Sequence, residues 1–239
     1  MVERGVDPAP AGVGADARAG RWETRSLVLA GVLAAAALVG VTLVVVSSGS
    51  PTALDMWVVD LTSRWTDSAA WAVDLAALIG ALTGAVGATV VAVCATLLLA
   101  ARRRWSLALF VALSGAVGVA LVELGKRSAG RLRPDGADDV IALGLDRSFP
   151  SGHSASGIYV YGAVAVLLIL LATRSGAAFA RWSGWALLAA GVGIGLSRIV
   201  LGVHWATDVL AGWALGSAVL LLVAAATRPD DAIPVGGRG

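Results

Sequence analysis

The chain has 239 residues, 58% of them hydrophobic and only 14% charged, with a mean hydropathy of +0.83. A water-soluble domain carries about 45–50% apolar and about 25% charged residues, so the composition points into a membrane and excludes disorder over most of the length. One cysteine excludes a disulfide framework and a cysteine-rich metal site, and a formal net charge of +2 is too small to argue for a nucleic-acid partner.

A membrane-crossing helix needs about 20 mostly apolar residues. The leader 1–25 mixes Pro, Gly, Ala and both charge signs without period, and reads as a mobile end ahead of the first span. That span, Ser26 to Val46, is too long for the core of a cleavable signal. In the segment Ser47 to Ala70, Leu54, Trp57, Val58, Leu61 and Trp65 recur at helical spacing. They predict an amphipathic helix lying on the membrane surface as an anchor, with no polar group aimed at a substrate. Leu75 to Ala101 is an uncharged run of 27 residues, read as a second span that properly starts near Leu82. Cys94 in its middle reads as a small buried residue. Trp105 to Gly125, Ser154 to Thr173, Trp182 to Leu196 with an extension open as far as Gly202, and Val209 to Thr227 complete a count of six, and the tail 228–239 reads as a second mobile end. The expected fold is all-α: one polytopic bundle of six transmembrane helices over residues 26–227.

Lys and Arg near span ends set orientation. Alternation groups the leader, Arg102 to Arg104, Arg174 with Arg181, and the tail on one side, which holds eleven of the eighteen basic residues. That bias predicts a multi-pass protein of the plasma membrane with both termini in the cytoplasm. Trp22, Trp71, Trp105 and Trp182 near span ends fit an aromatic belt.

The opposite, outer side collects three polar segments and both histidines. The first runs from Lys126 to Pro134 and contains Arg133. The second is Ser148-Phe149-Pro150-Ser151-Gly152-His153, and the third holds Ser197, Arg198, His204 and Asp208. If the last helix has begun by His204, then His204 and Asp208 share a face at i,i+4, and the carboxylate fixes the imidazole tautomer. His153 opens the fourth span, where free backbone N–H groups favour an anion and Gly152 lets that backbone approach closely. Lys126, Arg133 and Arg198 add three cations suited to phosphate oxygens. Arg127 and Arg131 read as lipid-headgroup contacts. Asp135, Asp138, Asp139 and Asp146 form an acidic stretch that reads as a solvated loop.

The three segments carry the patterns KxxxxxxRP, PSGH and SRxxxxxHxxxD, with all eleven specified letters in order. In this the chain resembles the type 2 phosphatidic acid phosphatase superfamily, also called the lipid phosphate phosphatase and vanadium haloperoxidase superfamily. The resemblance implies a helical core of that kind, and the charge bias puts its site on the outer face. It implies His204 as the nucleophile that forms a phosphohistidine, Asp208 as its orienting carboxylate and His153 as the general acid. Lys126, Arg133, Ser151, Gly152 and Arg198 are then the phosphate-binding set, with no metal or other cofactor. The implied partner is a membrane lipid phosphate substrate, and the candidates are phosphatidic acid, phosphatidylglycerol phosphate and a polyprenyl pyrophosphate. Two other readings stand beside it: a vanadate-dependent oxidant, and a non-catalytic lipid transporter or scaffold that keeps the fold. The sequence leaves the oligomeric state open.

Overall fold

The computed structural model describes residues 23–135 and 147–233. The described residues form helices and no strands. In chain order they are α1 (Thr24–Ser48), α2 (Ala53–Thr66), α3 (Ala70–Thr83), α4 (Ala85–Ala101), α5 (Trp105–Ala129), α6 (Gly152–Ser156), α7 (Gly162–Ser175), α8 (Ala178–Val200) and α9 (Ala206–Thr227). A π-helical turn at Gly157–Tyr161 joins α6 to α7, so that the two make one continuous span. Among the described residues, five helices are long and apolar enough to cross a membrane, and the pair α3 and α4 makes a sixth span if counted together. This is the six-helix membrane bundle that hydropathy predicts.

The second span differs from its expectation. It is not one straight run entered near Leu82, but two helices bent by 47° at Gly84. At the end of α3 the Thr83 hydroxyl donates back to the Ile79 carbonyl at 2.6 Å. Gly84 then leaves the helical region at ψ −172°. Such a residue costs nothing in side-chain strain and lets α3 lean towards α8 instead of following α4. The fifth span runs from Ala178 to Val200, starting one turn before Trp182 and ending within the extension towards Gly202. Cys94 is exposed on α4, not buried.

Helix α9 is the hub. It packs on α1, α5 and α6, and its buried residues occur on every side of the helix. Gly212 and Gly216, spaced four apart, make the closest approach. A Cβ at Gly212 would stand 2.6 Å from the Ser151 carbonyl oxygen, and one at Gly216 would stand 2.7 Å from that of Ala155. In lipid there is no water to drive helices together, so close backbone contact of this kind supplies much of the attraction. Gly157 and Gly191 bring the π turn against α8 in the same way. The core that results holds Tyr159, Ile194, Leu215 and Val219, with a second cluster around Phe110, Leu167 and Leu220.

Leu29, Leu43, Val86 and Leu97 are exposed, as are Trp71, Trp105 and Trp182 near span ends. In a bundle of this hydropathy these are the lipid-facing positions. Most of the leader lies outside the described residues, as does 234–239. The described start of the tail, 228–233, turns back on the bundle and packs Ile233 into the second core cluster.

Candidate active site

The three polar segments meet at one end of the bundle, where α5 and α8 finish and α6 and α9 begin. Gly130, at φ +60°, closes α5 in the left-handed conformation, so the chain after Lys126 doubles back across the end of the bundle. The segment stays there because the Ser148 N–H donates to the Arg131 carbonyl at 2.7 Å. Ser151 caps α6 and donates its own N–H to the Asp208 carbonyl at 3.0 Å. The close approach at Gly212 permits that bond, so helix packing sets the spacing between the second and third segments.

His204 and Asp208 meet, though not as two residues on one helical face. The helix starts at Ala206, so His204 precedes it. Asp208, in the first turn, curls back to accept the Trp205 N–H at 2.9 Å, which brings its Oδ2 to 3.4 Å from His204 Nδ1. Ser148 supports the pair. Its hydroxyl donates to Asp208 Oδ2, and its oxygen lies 3.3 Å from Nδ1. On the other side of the ring, Arg133 Nη1 lies 3.2 Å from His204 Nε2 and also donates to the Val203 carbonyl at 2.7 Å. A guanidinium is a donor only, so Nε2 carries the lone pair and Nδ1 the proton. Both neighbourhoods therefore select one tautomer. Burial pushes the imidazole below its ordinary pKa, and Arg133 and Lys126 push the same way against the pull of Asp208. The ring is accordingly neutral at neutral pH.

His153 stands in the first turn of α6, and its Nε2 is 3.3 Å from the Gly80 carbonyl of α3. A carbonyl only accepts, so this nitrogen carries a proton. The glycine at the bend leaves room for the contact, since a Cβ at Gly84 would sit 3.3 Å from His153 Nε2. Lys126 reaches the same helix start, with its Nζ 4.0 Å from where a Gly152 Cβ would be. Arg198 is buried and bonds Ser197 Oγ and, at 2.8 Å, the Ala76 carbonyl. Its guanidinium lies against Gly80, where any side chain would collide with it. The eight predicted residues thus gather at one end of the bundle, with Arg198 held against α3.

Three residues of the site were not in the predicted set. Ser148 lies inside the second segment but outside its pattern. Arg131 is not a headgroup contact. Its side chain is 11% exposed and bridges Asp208 Oδ1 at 2.7 Å and Asp55 Oδ2 at 2.6 Å. Asp55 is fully buried, which corrects the expectation that 47–70 is an anchor with no inward polar group. The amphipathic helix is present as α2, with Trp57 and Trp65 exposed, but Asp55 on its opposite face is tied into the site. Burial raises the Asp55 carboxyl, but hydrogen bonds from Thr207, Thr52 and Arg131 outweigh it and hold it below the ordinary carboxylate value. Removing one partner from such a buried set leaves an uncompensated charge, which costs about 3–5 kcal/mol. Of the acidic stretch, 138, 139 and 146 lie outside the described residues.

A family model described as the PAP2 superfamily matches residues 103–230, more than half of the chain. Phosphatidylglycerophosphatase B of Bacillus subtilis is 38% identical over 96 residues, covering 39% of this chain and 44% of the relative. An undecaprenyl-diphosphatase of Sulfolobus acidocaldarius is 33% identical over 131 residues, 53% of this chain and 58% of the relative. A lipid A 1-phosphatase of Porphyromonas gingivalis is 37% identical over 107 residues, 43% of this chain but only 21% of the relative. The matched stretch is therefore less than two thirds of the length of each of these proteins. Among solved structures, a transmembrane PAP2-type phosphatidylglycerolphosphate phosphatase of Bacillus subtilis superposes with a TM-score of 0.61. That match is 24% identical and covers 78% of this chain and 92% of that one, a likeness of fold.

Proposed function

The chain belongs to the PAP2 superfamily, and from that premise we propose that it is a membrane phosphatase hydrolysing a lipid phosphate or polyprenyl pyrophosphate through a phosphohistidine, without a metal ion. The observation that carries this reading is the His204 tautomer, fixed from both sides of the ring so that a lone pair at Nε2 faces a phosphate-binding cation.

In the first step His204 Nε2 attacks phosphorus in line and forms the N–P bond, while the bond from phosphorus to the leaving oxygen breaks. His153, in its imidazolium form, gives its Nε2 proton to that oxygen and is left as the neutral imidazole. The imidazolium created at His204 keeps its Nδ1 proton and is stabilised by Asp208. Lys126, Arg133, Arg198 and the N–H groups at the start of α6 offset charge on the equatorial oxygens, the task that metal ions perform in other phosphoryl transfers. In the second step His153 takes a proton from water, which attacks phosphorus and releases phosphate and free His204.

The three relatives act, by their names, on phosphatidylglycerophosphate, undecaprenyl diphosphate and lipid A. All three substrates join a phosphate to a long apolar group. An apolar cavity of about 240 Å³ lies between α1 and α5, beside Pro150 and within one turn of Lys126. Phosphate release by the purified protein from a panel of lipid phosphates tests the reading. Release from none of them overturns it. Activity is expected to be unchanged in strong chelator and inhibited by orthovanadate. Loss in chelator with rescue by magnesium would remove the metal-free mechanism.

The excess of Lys and Arg on the other side supports a site on the outer face of the membrane, which favours a polyprenyl pyrophosphate as substrate. In a Cys94→Ala background, a cysteine replacing the exposed Asp135 is expected to react with an impermeant thiol reagent on intact cells. One replacing the exposed Arg103 is not. The reverse pattern puts the site in the cytoplasm.

A further inference from the structure

Arg131 occupies a position that the first motif leaves unspecified, and Asp55 belongs to a helix outside all three motifs. Their arrangement is nevertheless specific. Arg131 Nη1 donates to Asp208 Oδ1 at 2.7 Å and to Thr207 Oγ1 at 2.6 Å, while Nη2 donates to Asp55 Oδ2 at 2.6 Å. Asp55 Oδ1 accepts the Thr207 N–H at 2.9 Å. Its Oδ2 accepts the Thr52 N–H at 3.0 Å, closing a capping box at the start of α2. Trp205 covers the guanidinium, with its ring centre 5.5 Å away. Both carboxylates are fully buried.

The charges of this set decide what it does. A simple structural pair would be one cation and one anion, with no net charge. Here one guanidinium serves two carboxylates, and the second carboxylate presents its other oxygen to His204. If Arg131 paired with Asp208 alone, it would cancel the negative charge needed by the imidazolium that forms during attack. Asp55 offsets Arg131, so Asp208 is held rigidly and the set still carries one net negative charge. We propose that Asp55 and Arg131 are positioning residues for catalysis, acting on His204 through Asp208. Arg131 fixes the carboxylate, and Asp55 preserves its charge for the nucleophile. The inference rests on the phosphatase reading with His204 as nucleophile.

Several other groups act on His204. From its own segment and α9 there is Asp208. Arg133 comes from the stretch after α5, Lys126 from α5 and His153 from α6. None of them changes in the variants below, and the ionisation of the substrate is common to all. The variants therefore report the Asp55–Arg131 term alone.

The test is the pH dependence of kcat/KM in detergent, with a lipid phosphate that the wild-type protein hydrolyses. Asp55→Asn leaves Arg131 opposed only by Asp208, so protonating His204 becomes harder. The acid limb is expected to move to lower pH by about one unit, the order expected of one charge at this range inside a protein. kcat is expected to fall about tenfold or more while orthovanadate inhibition is retained. Arg131→Gln removes the cation, and the acid limb is expected to move to higher pH. In Asp55→Asn combined with Arg131→Gln the limb returns close to its wild-type position. Purely structural residues would lose activity without opposed shifts. Limbs that stay put, or move in the same direction in both single variants, overturn the proposal. Asp55→Glu covers the case in which an uncharged variant does not fold. It keeps the charge but misplaces it, so kcat is expected to fall with the limb unmoved and vanadate still binding. A wild-type kcat in that variant is equally fatal to the proposal. A wild-type protein inactive on every lipid phosphate fails the phosphatase reading and takes the inference with it. An active protein with unmoved limbs fails the inference alone.

Discussion

His204→Ala is expected to abolish phosphate release from every substrate, and His153→Ala to depend on the leaving group. Without Nε2 at position 204 no N–P bond forms, and among the described residues His204 is the histidine whose unprotonated nitrogen meets an arginine of the proposed phosphate-binding set. The role of His153 is narrower. A lipid alkoxide is a poor leaving group and needs a proton as the bond breaks, a contribution worth about 10²–10⁴ in rate. The phenolate of p-nitrophenyl phosphate leaves with little protonation. The His153 variant is therefore expected to retain a larger share of the first step on the aryl ester than on a lipid monoester. A burst of nitrophenol measures that step even when hydrolysis of the phosphoenzyme is slow. Equal loss on both substrates would remove His153 as the acid. A burst from His204→Ala and none from His153→Ala would reverse the two assignments.

Asp208→Asn is expected to reduce kcat by about 10⁴, by analogy with the same change in a Ser-His-Asp triad, and to affect orthovanadate binding far less. The surroundings of this carboxylate explain the severity. Oδ1 faces Arg131, while Oδ2 faces the Trp205 N–H, the Ser148 hydroxyl and the Nδ1 proton of His204. Donors stand on both sides, so an amide meets one with its own N–H in either orientation. It is pushed out of place or pulls His204 into the wrong tautomer, and it carries no charge for the imidazolium. Kinetics of the purified variant, with vanadate inhibition as the binding measure, check this. A wild-type rate would mean that Ser148 and Arg133 orient His204 without help from the carboxylate.

Much of this architecture is legible in the amino-acid sequence because the controlling signals are local. Runs of uncharged residues mark the spans, and each of the three motifs lies within 12 residues or fewer. The unread parts depend on contacts between distant segments. Asp55 and Arg131 are 76 positions apart, and a single acid on an amphipathic helix looks like any solvated residue until the helix docks. One local clue was available. Thr52 and Asp55 have capping-box spacing, which gives that carboxylate a task at the helix start, although not its second one across the site. The bend at Gly84 was hidden for a different reason. Hydropathy measures how apolar a segment is and carries no information about its direction. Asp208 was paired correctly with His204 through the wrong geometry, since i,i+4 spacing is also satisfied by a residue in the first helical turn reaching back over its own cap.

On the proposed mechanism, the contact between Arg133 and His204 Nε2 has a consequence for how the site waits between turnovers. A lone pair engaged by a cationic N–H is a poor donor of electrons, so the resting imidazole is guarded against stray electrophiles and oxidants. An arriving phosphate competes for the same guanidinium, with more oxygens and more charge than a ring nitrogen can offer. As it wins that competition, it uncovers the nitrogen that will attack it. If His204 is the nucleophile proposed, the cargo releases its own catch, and reactivity appears at His204 only when there is a phosphoryl group to receive it.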